Sequence, residues 1–156
     1  MKNLRSVLLL LSLVALSQNP ARAQRVSQYP NMTLMAENGA VQNARDLPAG
    51  SVIIIYFPDC DHCQREAAEI SSHLTSFQKH SVWFVSTAAL PEIQKFSTQY
   101  KLAGYANIHF VRTEMKDVIS NFGGIPTPSV FIYSKDKQLV KAIKGETKIE
   151  EIIKYL

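Results

Sequence analysis

The segment Ser51-Val52-Ile53-Ile54-Ile55-Tyr56-Phe57-Pro58-Asp59-Cys60-Asp61-His62-Cys63-Gln64-Arg65-Glu66 decides how the rest of the chain is read. Its first seven residues form an unbroken β-branched and aromatic run, the pattern of a central strand covered on both faces. Pro58-Asp59 stops the run. Beyond Cys63, apolar residues recur at Ala67, Ile70, Leu74 and Phe77, the spacing of a helix with one buried face. The two cysteines of the chain, Cys60 and Cys63, therefore sit where a buried strand turns into a helix.

Working outward, residues 82–85 read as a second core strand, Pro91 opens a helix through about Tyr100, and residues 108–111 read as a third strand. A helical stretch at 115–122 ends at Gly123-Gly124. Ile125-Pro126-Thr127-Pro128 then leads into a strand at 129–133, which a turn at 135–137 joins to 139–143 as an antiparallel hairpin. A last helix spans 148–156. On the N-terminal side, residues 32–35 form a short strand ending at the turn Glu37-Asn38-Gly39. Strands alternating with helices predict an α/β fold, a central mixed sheet with helices on both faces.

Residues 1–23 read differently. Lys2 and Arg5 precede an apolar run from Val7 to Leu16, and Ala21-Arg22-Ala23 follows, which predicts a signal peptide cleaved before Gln24. The run is about half of the roughly 20 residues that cross a bilayer, so no stable membrane insertion is expected after cleavage. Residues 24–156 then make one domain. The formal charge of +4 shrinks once the three basic residues of the leader are removed, leaving 14 basic against 13 acidic residues. No basic footprint for nucleic acid survives.

An exported chain meets an oxidising compartment, where paired cysteines tend to be disulfides. A bridge across two residues closes a very small loop and restrains little of the unfolded chain, so chemistry explains Cys60-Asp61-His62-Cys63 better than stability does. At a helix start the first thiol lies near unpaired N–H groups and the positive end of the dipole, which favours a thiolate. Cys60 is thus the expected nucleophile and Cys63 the resolving thiol. His62 would stabilise a Cys60 thiolate and Asp61 would oppose it, two effects of opposite sign. The pair itself calls for no cofactor and no metal.

Residues 56–66 resemble the active-site segment of thioredoxin-fold proteins, in particular the exported TlpA-like branch. Leu34 to Ala40 is similar to that branch's N-terminal strand pair, residues 82–111 fill the place of its extra β–α segment, and Thr127-Pro128-Ser129-Val130-Phe131-Ile132-Tyr133 is similar to its cis-proline strand. The resemblance implies a cis proline packed against the cysteines, with the preceding residue pairing with a substrate strand. Counting back from the turn at Asp136-Lys137 favours Pro128, with Thr127 as its partner, over Pro126. It also implies that Glu66, in Cys-x-x-Cys-x-x-Glu, lies behind the active site and shifts thiol protonation. Partners would be protein disulfides and dithiols, such as apocytochromes or misoxidised thiols, with a membrane-bound electron donor recharging the pair in the periplasm.

The chain departs from the pattern of the family it resembles in places. Ile54 stands where cytosolic thioredoxins have a buried aspartate, Asp59 replaces the usual Trp, and Ala67-Ala68 replaces a proline, which predicts a less kinked helix. Metal delivery is the main competing reading, since Cys60, His62 and Cys63 are metal-ligand types, with further histidines at 73, 80 and 109. His73 and His80 read as helix-surface residues, and His109 falls within a strand. A peroxidase needs a Thr-x-x-Cys setting that is absent. A redox-inert binding module with a permanent disulfide is the third alternative.

Overall fold

Strand β3 (Val52–Ile55) is buried along its whole length because it is flanked on both edges and covered on both faces. The computed structural model describes residues 28–156; the predicted leader, residues 1–23, and its cleavage point lie outside the described residues. Before β3 come β1 (Thr33–Ala36) and β2 (Val41–Asn43), an antiparallel hairpin, and a 3-10 turn at Ala44–Asp46. After it follow α1 (Asp61–Ser72), α2 (Leu74–Phe77), β4 (Val82–Ser86), α3 (Leu90–Gln99), β5 (Ile108–Arg112) and α4 (Met115–Phe122). The chain closes with β6 (Ser129–Tyr133), β7 (Leu139–Lys144) and α5 (Ile149–Ile153).

The seven strands form one sheet in the order β2-β1-β5-β4-β3-β6-β7. Strands β3, β4 and β5 run parallel through helical crossovers, while β6, β7 and the N-terminal hairpin pair antiparallel. Alternate strand residues point to opposite faces and build two cores. One packs Ile54, Phe84 and Val130 against Ala67 and Ile70 of α1, Phe96 of α3 and Ile152 of α5. The other packs Ile53, Val85 and Phe131 against Met32, Leu34 and Val118 of α4. Helices thus cover both faces of a mixed sheet.

The predicted helix after the cysteines is continuous through Ala67-Ala68 but breaks at His73, where φ −121° and ψ 28° leave the helical range and α2 restarts one residue on. Leu74 and Phe77 still face the same core, so the spacing of apolar residues runs through the break. His73 therefore marks a junction, and His80 lies in the loop before β4, half-buried with Nδ1 3.1 Å from the Gly50 carbonyl; neither is the simple helix-surface position expected.

Aromatic rings fill the core beneath the end of β3. Tyr56 meets Phe84 edge-on at 5.6 Å and Phe96 at 4.7 Å, and Phe84 stacks on Phe110 at 4.7 Å. Phe84→Ala removes the ring that joins these contacts and leaves a cavity, so the variant is expected to lose about 3–5 kcal/mol of stability. Urea unfolding followed by circular dichroism measures that loss.

Candidate active site

Cys60 is the N-cap of α1, with extended backbone angles of φ −85° and ψ 113°. Its sulfur takes the place of the usual capping oxygen and accepts the Cys63 N–H at 3.3 Å. A cap position puts the sulfur at the positive end of a twelve-residue helix, where negative charge is stabilised. Two further bonds hold the approach to it: Cys60 N–H donates to the Phe57 carbonyl at 3.2 Å, and Gln64 Nε2 donates to the Pro58 carbonyl at 3.0 Å.

One turn inside the helix, Cys63 is only 2% exposed, whereas Cys60 is half-buried. Only the first member of the pair reaches the surface. The helical period explains this, since position 63 shares the inner face of α1 with Glu66, Ala67 and Ile70. Both thiols are free and their sulfurs are 2.7 Å apart. Burial, reinforced by the bond to Cys60, pushes the Cys63 thiol up to about 12.

Across from Cys60 lies the entry to β6. The Thr127–Pro128 peptide is cis, and Ser129 Oγ donates to the Pro126 carbonyl at 2.6 Å, which closes the segment on itself. The Cys60 thiol donates to the Thr127 carbonyl at 3.6 Å, and Thr127 Oγ1 stands 3.8 Å from the same sulfur. Residues 67 apart in sequence thereby line one slot.

The other expected site residues lie elsewhere. Asp61 is exposed in the first turn of α1, and among the described residues neither it nor His62 hydrogen-bonds Cys60. His62 turns to Glu146, its Nδ1 2.5 Å from Oε2, and Arg65 joins the same carboxylate through Nε at 2.6 Å and Nη2 at 2.8 Å. Hydrogen bonds from Arg65 and then His62 hold the Glu146 carboxyl down, to about 2. No local motif announces Glu146; the one signal was a Gly-Glu step after a hairpin strand. Of the metal-ligand candidates, His109 lies in β5 with its ring stacked on Trp83 at 4.0 Å. Among the described residues no three His, Cys, Asp or Glu side chains gather to hold a metal ion, and no helix is long and apolar enough to cross a membrane.

Glu66 is 2% exposed, and neither of its carboxylate oxygens finds a hydrogen-bond partner among the described residues. Burial, with the Glu146 charge adding to it, pushes this carboxyl up to about 8. The Tyr56 hydroxyl is likewise buried without a partner among the described residues, and burial pushes its pKa up, holding it in the neutral form.

With that geometry in view, comparison places the chain among known proteins. The AhpC/TSA family model matches residues 26–142. This chain belongs to the AhpC/TSA family. AhpC/TSA proteins are oxidoreductases, and this one is an enzyme of that kind. Its fold is the thioredoxin-like fold. A secreted disulfide oxidoreductase of Mycobacterium tuberculosis, homologous to E. coli DsbE, superposes with a TM-score of 0.68 at 17% identity, covering 85% of this chain and 96% of that one. A peroxiredoxin-like protein from Aquifex aeolicus gives 0.66 at 14% identity over 82% of each chain. StoA from Bacillus subtilis gives 0.62 at 14% identity, covering 81% of this chain and 96% of its own. None of the curated proteins compared matches this AhpC/TSA member.

The raised Glu66 carboxyl fixes a pH dependence. Between about 4.5, where the unfolded chain releases this proton, and about 8, where the folded protein does, only the folded state keeps it. Stability therefore falls as pH climbs through that interval and levels off above it. Glu66→Gln is expected to remove that slope, which amounts to a few kcal/mol, as read from urea midpoints at about pH 5 and about pH 8.

Proposed function

We propose that this protein is an exported thiol–disulfide oxidoreductase that reduces disulfides of partner proteins through Cys60 and Cys63. The observation that carries this reading is the pairing of one accessible sulfur, capping a helix, with one buried sulfur 2.7 Å behind it. A permanent structural disulfide would gain nothing from that asymmetry.

In the proposed cycle the Cys60 thiolate attacks one sulfur of the partner disulfide. A Cys60–partner bond forms, the partner S–S bond breaks, and the released partner sulfur takes a proton. Cys63 then gives up its proton and attacks Cys60 Sγ, forming the Cys60–Cys63 disulfide and freeing the second partner thiol. Two electrons and two protons pass to the partner. Thr127 and Pro128 would hold the partner strand beside Cys60. Glu66, the buried carboxyl three residues beyond Cys63, would hold a proton during exchange.

The reducing direction is supported by the lifted Cys63 thiol, since a high-pKa thiol leaves a disulfide reluctantly and the pair gives up electrons more readily. The N-terminal leader pattern supports a periplasmic or secreted location, and the resemblance to TlpA-like proteins supports a membrane-bound electron donor.

A redox titration of residues 24–156 against dithiothreitol and glutathione tests the direction. A potential near the roughly −270 mV of thioredoxin is expected, whereas one near the roughly −120 mV of DsbA would make the protein an oxidant. Cys60→Ser is expected to abolish disulfide reduction, and Cys63→Ser to accumulate a mixed disulfide visible by mass. Continued turnover by Cys60→Ser would refute the mechanism.

A further inference from the structure

A ring of contacts encloses the slot in front of Cys60. Glu146 is tied to α1 by the two-point fork of Arg65 and by His62, residues three apart on the turn that carries the cysteines. Its neighbour Gly145 donates its N–H to the Pro128 carbonyl at 2.8 Å. Thr127, next in line, faces the Cys60 sulfur. The path therefore runs from α1 through Glu146 and Gly145 to Pro128 and Thr127, and back to α1 at Cys60. Gly145 has φ +90°, a left-handed conformation that a side chain would strain, and it lets the turn present its backbone to Pro128 and the next side chain to α1.

We propose that Glu146 is a positioning residue for the partner strand: by fastening the turn after β7 to α1, it sets the distance between Cys60 and the Thr127–Pro128 segment. The proposal rests on the disulfide-exchange reading above. A bidentate guanidinium–carboxylate pair fixes direction as well as distance, which a single-point contact does not. No atom of Glu146 takes part in sulfur chemistry at Cys60. Its loss therefore falls chiefly on how a long, extended partner is held, and a small disulfide that needs no strand-like docking is affected less.

The test compares wild type with Glu146→Ala, Glu146→Gln and the charge-swapped pair Arg65→Glu with Glu146→Arg. Each is assayed on insulin and on the small disulfide 5,5′-dithiobis(2-nitrobenzoate), with dithiothreitol as electron source. For Glu146→Ala the insulin KM is expected to rise roughly fivefold, with the insulin-to-small-disulfide ratio falling accordingly. Glu146→Gln should fall between, and the swapped pair should recover most of the ratio. An unchanged KM, or equal losses on both substrates, overturns the proposal. Hydrogen exchange at the Gly145 amide reads the clamp without any turnover: faster exchange in Glu146→Ala is expected, and equal exchange overturns it. Wild-type protein that reduces neither disulfide would sink the oxidoreductase reading, while Gly145 exchange still decides the clamp.

Discussion

The antiparallel register between β3 and β6 is the constraint on which the site depends. Ile55 pairs with Ser129, so the last residue of one strand lies beside the first of the other. Everything chemical hangs on the two segments that continue from that pair. One runs through Tyr56 to Cys60, and the other runs back through Pro128 to Thr127. Slipping the register by one residue would send each side chain of the slipped strand into the opposite core and offset the two segments. The complete burial of both strands forbids such a slip, because Ile53, Ile54, Val130 and Phe131 each have a core to fill on their own side.

The inner face of α1 shows the opposite tendency, a site kept at some cost to stability. Cys63, Glu66, Ala67 and Ile70 share that face, and among them a carboxyl group is buried with no hydrogen-bond partner among the described residues. An apolar side chain of similar size would suit the environment better. Such local conflicts between a residue and its surroundings tend to mark functional positions rather than folding requirements. Tyr56, whose hydroxyl is also unpartnered, lies in the same core as Cys63.

Much of this was legible in the sequence, for physical reasons that can be named. The apolar run before Pro58 specified a doubly covered strand, and the change from that run to helical spacing placed the cysteines at a helix start. The resemblance to the thioredoxin-fold cis-proline strand, with the family's distance from the hairpin turn, pointed to Pro128, and the Thr127–Pro128 peptide is cis. The burial of Glu66 follows from its sharing a helical face with Cys63 and Ile70, although the first-turn position also suits an exposed acid. The break at His73 was hidden because Leu74 and Phe77 keep the same apolar phase on both sides of it. Glu146 was invisible for a different reason: it stands 84 residues from His62 and 81 from Arg65, and local pattern carries no information about such a meeting. The pull of Glu146 on His62 is also why His62, read as a neighbour of the Cys60 thiol, faces away from it.

The unequal exposure of the two sulfurs has a bearing on chemical damage as well as on turnover. A peroxide arriving from solvent can reach Cys60 but not Cys63, so the first lesion is a sulfenic acid on the outer residue. The inner thiol, already in contact with that sulfur, is placed to condense with it and expel water. The product is the same internal disulfide that the proposed exchange would produce, which any reductant of the pair can reopen. Oxidation is thereby diverted from the irreversible sulfinic and sulfonic steps into a form the protein can recover from, using no group beyond the two it already has.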